Sequence, residues 1–99
     1  MNYLTNETFD NFIISNRLCV VATVDGQDPQ VEHLLEDLHD TYPDVAVGIT
    51  DGNICTKAMA VGHLTIPDIL IYRNTEIVGR VPERKMEFIK DICNELDIK

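Results

Sequence analysis

Ninety-nine residues, 44% of them hydrophobic and 25% charged, are enough for one small core and too few for two, so residues 1–99 are expected to fold as a single domain. The formal net charge of −9 disfavours nucleic acid and anionic membrane surfaces, because both are bound by cationic side chains. No apolar run reaches the ~18 residues of a membrane span and the opening residues lack the basic and apolar order of a secretory leader, so a soluble cytoplasmic protein is expected.

In chain order, Asn6 is a candidate N-cap for a first helix running to about Ser15, with Phe9, Phe12 and Ile13 at helical spacing. Leu18 to Val24 is an almost unbroken apolar run rich in β-branched residues, the pattern of a strand covered on both faces. Asp25 to Pro29 breaks it, and Asp28-Pro29 reads as an N-cap followed by proline at the first helical position. The helix that follows carries Val31, Leu34, Leu35, Leu38 and Tyr42 on one stripe, with Glu32, Glu36, Asp37 and Asp40 off it. Pro43-Asp44 ends that helix and Val45 to Ile49 gives a second covered strand. A helical crossover between two such strands predicts a parallel, right-handed βαβ unit.

Asp51-Gly52-Asn53 is turn chemistry, and Cys55 to Ala60 forms a short helix closed by Gly62. Asp68 to Arg73 and Glu76 to Arg80 read as a hairpin joined at Asn74-Thr75, although the favoured glycine is missing there. Pro82 is expected to open a last helix, with Glu83 near its positive end and Met86, Phe88, Ile89, Ile92, Cys93 and Leu96 on its buried face. The order α-β-α-β-α-β-β-α predicts an α/β domain, with a central mixed sheet of about four strands and helices on both faces.

Cysteine and charge narrow the chemistry. Cys19, Cys55 and Cys93 match no zinc or redox spacing, and an odd number suits a reducing compartment. Cys19 and Cys93 sit in apolar patterns where cysteine acts as a small hydrophobe; Cys55, beside Thr56 and Lys57, is the candidate reactive thiol. Residues 1–56 carry ten carboxylates against Arg17 alone, whereas residues 57–99 carry seven acids and seven bases. The excess charge in the first half fits either solubility alone or a basic protein partner.

From Leu4 to Leu96 the chain resembles the thioredoxin family. The residues that carry the resemblance are Leu4-Thr5-Asn6-Glu7-Thr8-Phe9-Asp10, the strand, loop and helix from Leu18 to Tyr42, the Gly62 to Pro67 loop, and Ile69 to Asn74 followed by Glu76-Ile77-Val78-Gly79. The resemblance implies a thioredoxin-like fold and a cis peptide before Pro67. It also implies that Thr65, Ile66 and Pro67 face the active-site loop and expose backbone groups able to pair with an extended peptide.

The family's Trp-Cys-Gly-Pro-Cys stretch falls on Val24, Asp25, Gly26, Gln27 and Asp28, so both sulfurs are replaced by carboxylates. The buried acid beneath the family's site falls on Cys19, and its lysine partner on about Gly48. Disulfide exchange needs one thiolate to attack and a second thiol to resolve, so disulfide oxidoreductase activity is not expected. The resulting expectation is a redox-inactive protein-binding or scaffold module. Its candidate face is Val24, Asp25, Gly26, Gln27, Asp28, Thr65, Ile66 and Pro67 together with the acidic helix, and it takes no cofactor and no metal.

Alternatives remain open on the same residues. Asp28 caps its helix and Asp25 sits in the loop, or the two hold a divalent cation with a backbone carbonyl, though two carboxylates fall short of the ~6 oxygens calcium takes. His33 with Asp37, or Glu36 with Asp40, lies at i, i+4 zinc spacing without a third ligand. His63, close in sequence to Pro67, is a candidate general acid or base. A thiol-dependent oxidoreductase or peroxide-reactive protein using Cys55 alone, and an acidic metal-binding domain, are the competing functions.

Overall fold

The two β-branched runs lie at the centre of the sheet, as their unbroken apolar character requires. In the computed structural model, which describes residues 1–62, 66–82 and 89–95, the elements are β1 (Asn2–Leu4), α1 (Phe9–Ser15), β2 (Leu18–Val24), α2 (Pro29–Thr41), β3 (Ala46–Asp51), α3 (Thr56–Ala60), β4 (Asp68–Arg73), β5 (Glu76–Pro82) and α4 (Ile89–Glu95). The sheet of these residues is ordered β1-β3-β2-β4-β5. Strands β1, β3 and β2 run parallel, while β4 is antiparallel to both β2 and β5. Every residue of β2 after Leu18 is buried.

One face of the sheet packs Val20, Ala22, Val47, Ile49, Ile69 and Ile71 against Val31, Leu35 and Leu38 of α2 and Ile89 and Cys93 of α4. The other packs Cys19, Val21, Leu70 and Tyr72 against Phe9 and Ile13 of α1 and Ala58 of α3. Helices therefore cover both faces, and the α/β expectation holds. A salt bridge of 2.7 Å from Lys90 to Asp37 joins α4 to α2 across their exposed sides.

Five details depart from the sequence reading. The sheet has a fifth strand, β1, of three residues with only Leu4 buried, too short to show a period of two. It docks where β3 offers no side chain: a Cβ on Gly48 would lie 3.0 Å from Leu4 Cδ1 and 3.2 Å from Phe12 Cε2. The first helix begins at Phe9 rather than after Asn6. Asn6 caps a different helix, its Oδ1 accepting from the Lys57 N–H at 3.0 Å and the Thr56 hydroxyl at 3.3 Å at the start of α3. Cys55 is the N-cap residue of α3, not its first turn.

Pro82 does not open the last helix. It ends β5, paired with Asp68, a place where its missing N–H is tolerated on an edge strand. Glu83, Met86, Phe88 and Leu96 lie outside the described residues. The hairpin forms as expected, with Asn74 and Thr75 both left-handed at φ 51° and 70°, the pattern of a type I′ turn.

Candidate functional site

The carboxyl ends of β2 and β3 and the amino end of β4 meet at one end of the sheet. Thr23 lies opposite Asp68, so Val24 and Pro67 each stand one residue beyond the same rung of the ladder. The Ile66–Pro67 peptide is cis, as the resemblance implies. Ile66 reaches the turn that follows β3: a Cβ on Gly52 would meet Ile66 Cδ1 at 3.4 Å, Thr23 Cγ2 at 3.2 Å and Met59 Sδ at 2.8 Å. Val24 thus stands beside Pro67 at the end of the β2–β4 ladder, and Asp25, Gly26, Gln27 and Asp28 follow it in the loop that leads to α2. Thr65 and His63 lie outside the described residues.

Polar bonds fix the loop where a sulfur pair is absent. Gly26 adopts φ +73°, the left-handed turn that brings its N–H to Asp51 Oδ1 at 3.1 Å. The Val24 carbonyl accepts from the Gly52 N–H at 2.8 Å. Asp25 accepts from Asn53 Nδ2 at 2.6 Å, and Asp51 Oδ1 also accepts the Asn53 N–H at 2.9 Å. Those main-chain donors, Asn53 first and Gly26 second, hold the Asp51 carboxyl below its usual range. Asp28 Oδ1 accepts the Val31 N–H at 3.1 Å, with Pro29 at the first helical position, which realises the N-cap expected from sequence.

A buried carboxylate paired with an exposed arginine follows the cis peptide, and sequence reasoning did not single it out. Asp68 is 2% exposed and its Oδ2 lies 3.3 Å from Arg80 Nε. Arg80 also donates to the Gly62 carbonyl at 2.9 Å, tying β5 to the residue that ends the α3 turn. The signal was available, since Asp68 opens an otherwise apolar strand, where a charge is retained only with a partner.

The cysteines are remote from solvent. Cys19, Cys55 and Cys93 are each 0% exposed, and burial pushes the Cys19 and Cys93 thiols up to about 11. Lys57, read as a cation able to favour a Cys55 thiolate, points its ammonium to Asp10 at 2.7 Å. Both Cys19 and Cys55 belong to the core cluster beneath α1 and α3. Among the described residues no three His, Cys, Asp or Glu side chains converge as metal ligands, and Asp37 is paired with Lys90.

A groove of about 400 Å³ opens beside the loop, lined by residues of β1, β3, the first turn of α2 and Ile54. The Tyr3 hydroxyl donates to Glu32 across it, and that bond, before any other influence, raises the tyrosine above its usual range.

No family model and no curated protein matches the sequence. Solved structures do match in shape. A designed protein superposes with a TM-score of 0.83 at 19% identity, covering 99% of this chain and 93% of that one. Thioredoxin from Trypanosoma brucei brucei gives 0.81 at 17% identity over 98% and 90% of the two chains, and oxidised thioredoxin from Plasmodium falciparum gives 0.82 at 16% over 97% of each. The chain therefore adopts the thioredoxin-like fold, and at these identities the likeness extends to the fold alone.

Proposed function

We propose that this chain is a redox-inactive thioredoxin-like module that binds a protein partner through Val24, Asp25, Gly26, Gln27, Asp28, Ile66 and Pro67. One observation carries the reading: the loop that would present a dithiol holds Asp25 and Asp28, each bonded within the fold, beside a cis Ile66–Pro67 peptide. A carboxylate neither attacks nor resolves a disulfide, so the face is left with shape, backbone groups and negative charge. The net charge of −9 favours a basic partner and disfavours nucleic acid and membrane. Three free cysteines fit the reducing cytoplasm. Among the described residues no helix is long and apolar enough to cross a membrane.

The one-thiol alternative loses its footing because Cys55 is enclosed in the core rather than presented to a substrate. Two measurements test the proposal together. Insulin disulfide reduction by the unmodified chain is expected to stay at the uncatalysed rate; turnover would overturn the reading. Capture from native lysate is expected to retain partners that an Asp25→Lys/Gln27→Lys variant loses, a change that spares the Asp28 cap. Identical partner sets would move the interface elsewhere.

A further inference from the structure

The strand order places β1 and β3 on one side of β2, whereas Ile66 and Pro67 lead into β4 on the other. The groove of about 400 Å³ lies on the β1 and β3 side. Its floor is apolar, made of the buried Leu4, Val24 and Ile49. Its lips are Tyr3 and Ile54, 68% and 66% exposed, so apolar surface is left in water at the entrance.

Three carboxylates, Asp28, Glu32 and Asp51, stand around that floor, and no lysine, arginine or histidine lines it among the described residues. Each is already oriented: Asp28 by the Val31 N–H, Asp51 by the Asn53 and Gly26 N–H groups, Glu32 by the Tyr3 hydroxyl. Groups fixed before binding lose little further freedom when a ligand arrives.

An occupant has to complement both parts. A bare cation or a polyamine would satisfy the rim and leave Tyr3 and Ile54 in water. A purely apolar segment would cover the lips and desolvate three carboxylates without bringing them a counter-charge. A side chain with a long apolar stem ending in a planar, weakly hydrated cation meets both demands, and that is arginine.

We infer that the groove seats an arginine side chain of the protein partner, its stem over Leu4, Val24 and Ile49 and its guanidinium among Asp28, Glu32 and Asp51. This assignment rests on the binding-module reading and names the chemistry that such a partner brings.

The full chain is titrated with a short fluorescent peptide of alternating leucine and arginine, and with the same peptide carrying citrulline, which keeps the shape and loses the charge. Saturable binding is expected, with amide shifts at Tyr3 to Thr5, Gly26 to Asp28 and Asp51 to Ile54. The citrulline peptide should bind about tenfold more weakly, since charge-assisted hydrogen bonds are lost. Glu32→Gln, which retains an acceptor for Tyr3, should weaken the arginine peptide several-fold. Equal binding of the citrulline peptide, indifference to Glu32→Gln, shifts mapping elsewhere, or no saturable binding would each overturn the assignment. Insulin turnover by the wild type would remove the binding-module reading while leaving the peptide result standing. Conversely, capture that depends on Asp25 and Gln27 combined with peptide binding indifferent to Glu32 would remove the groove alone.

Discussion

Asp51 shows how a single side chain holds the candidate face in place. One of its oxygens gathers the Gly26 and Asn53 N–H groups, and Asn53 in turn reaches Asp25. Because those bonds favour the charged carboxyl, its folded pKa lies below the unfolded value. The stabilisation is therefore fully present above the ordinary carboxylate range and is lost as pH falls through the lowered folded value. Asp51→Asn is expected to be less stable than wild type at neutral pH, with the difference in urea midpoint closing in acid. A difference that stays constant across the titration would mean that the carboxyl charge has no part in fixing the loop. Asp25 and Asp28, by contrast, each satisfy one named donor, the Asn53 amide and the Val31 N–H, so their presence has a local explanation.

At the scale of elements, the hairpin between β4 and β5 carries the clearest local conflict. A type I′ turn puts both central residues in the left-handed region, which asparagine tolerates and a β-branched side chain resists. Asn74 at φ 51° is at home there, and its N–H donates to the Arg17 carbonyl at 2.8 Å; Thr75 at φ 70° is not at home. Thr75→Gly removes the side-chain clash, partly offset by the greater backbone freedom of glycine when unfolded. A net gain of about 0.5–1 kcal/mol follows from those two opposing effects. Urea unfolding checks it, with Asn74→Gly as the comparison expected to change little; a loss of stability in Thr75→Gly would show that its side chain supports the turn.

The same hairpin shows what was legible in the sequence. Alternating and continuous apolar runs located β2, β3, β4, β5 and α2, and Asp28-Pro29 located the start of α2, because burial and capping leave a periodic or local mark. What left no such mark was missed. Strand β1 has one buried residue, the Asn6 cap acts on a helix fifty residues away, and Pro82 was read for its helix-opening habit although it ends an edge strand. The candidate face was legible as a loop followed by a capped helix. Its bonding to Asp51 and Asn53, and the Asp68–Arg80 pair, depend on chain segments brought together only by the sheet.

For the whole molecule, the balance between repulsion and pairing decides how stability responds to salt. Seventeen carboxylates face eight lysines and arginines, and ten of those acids lie in residues 1–56 with Arg17 alone among them. Folding concentrates that charge, so self-repulsion works against the compact state. Against it, among the described residues, stand the pairs Lys57–Asp10 and Lys90–Asp37, both exposed on each side, and Arg80–Asp68, buried on the acid side. Exposed pairs contribute little and weaken with salt, while a pair with a buried member is screened far less. Among the described residues, two exposed attractions stand against a formal excess of nine negative charges in the sequence, which favours repulsion. Raising sodium chloride at neutral pH should therefore increase the urea midpoint, since screening removes more repulsion than attraction. Urea is the right denaturant because guanidinium chloride would itself screen the charges. If the midpoint falls instead, the native ion pairs outweigh the acidic surplus. The case for a face kept negative at a cost to stability, and hence for a basic partner that relieves it, would then lose its energetic basis.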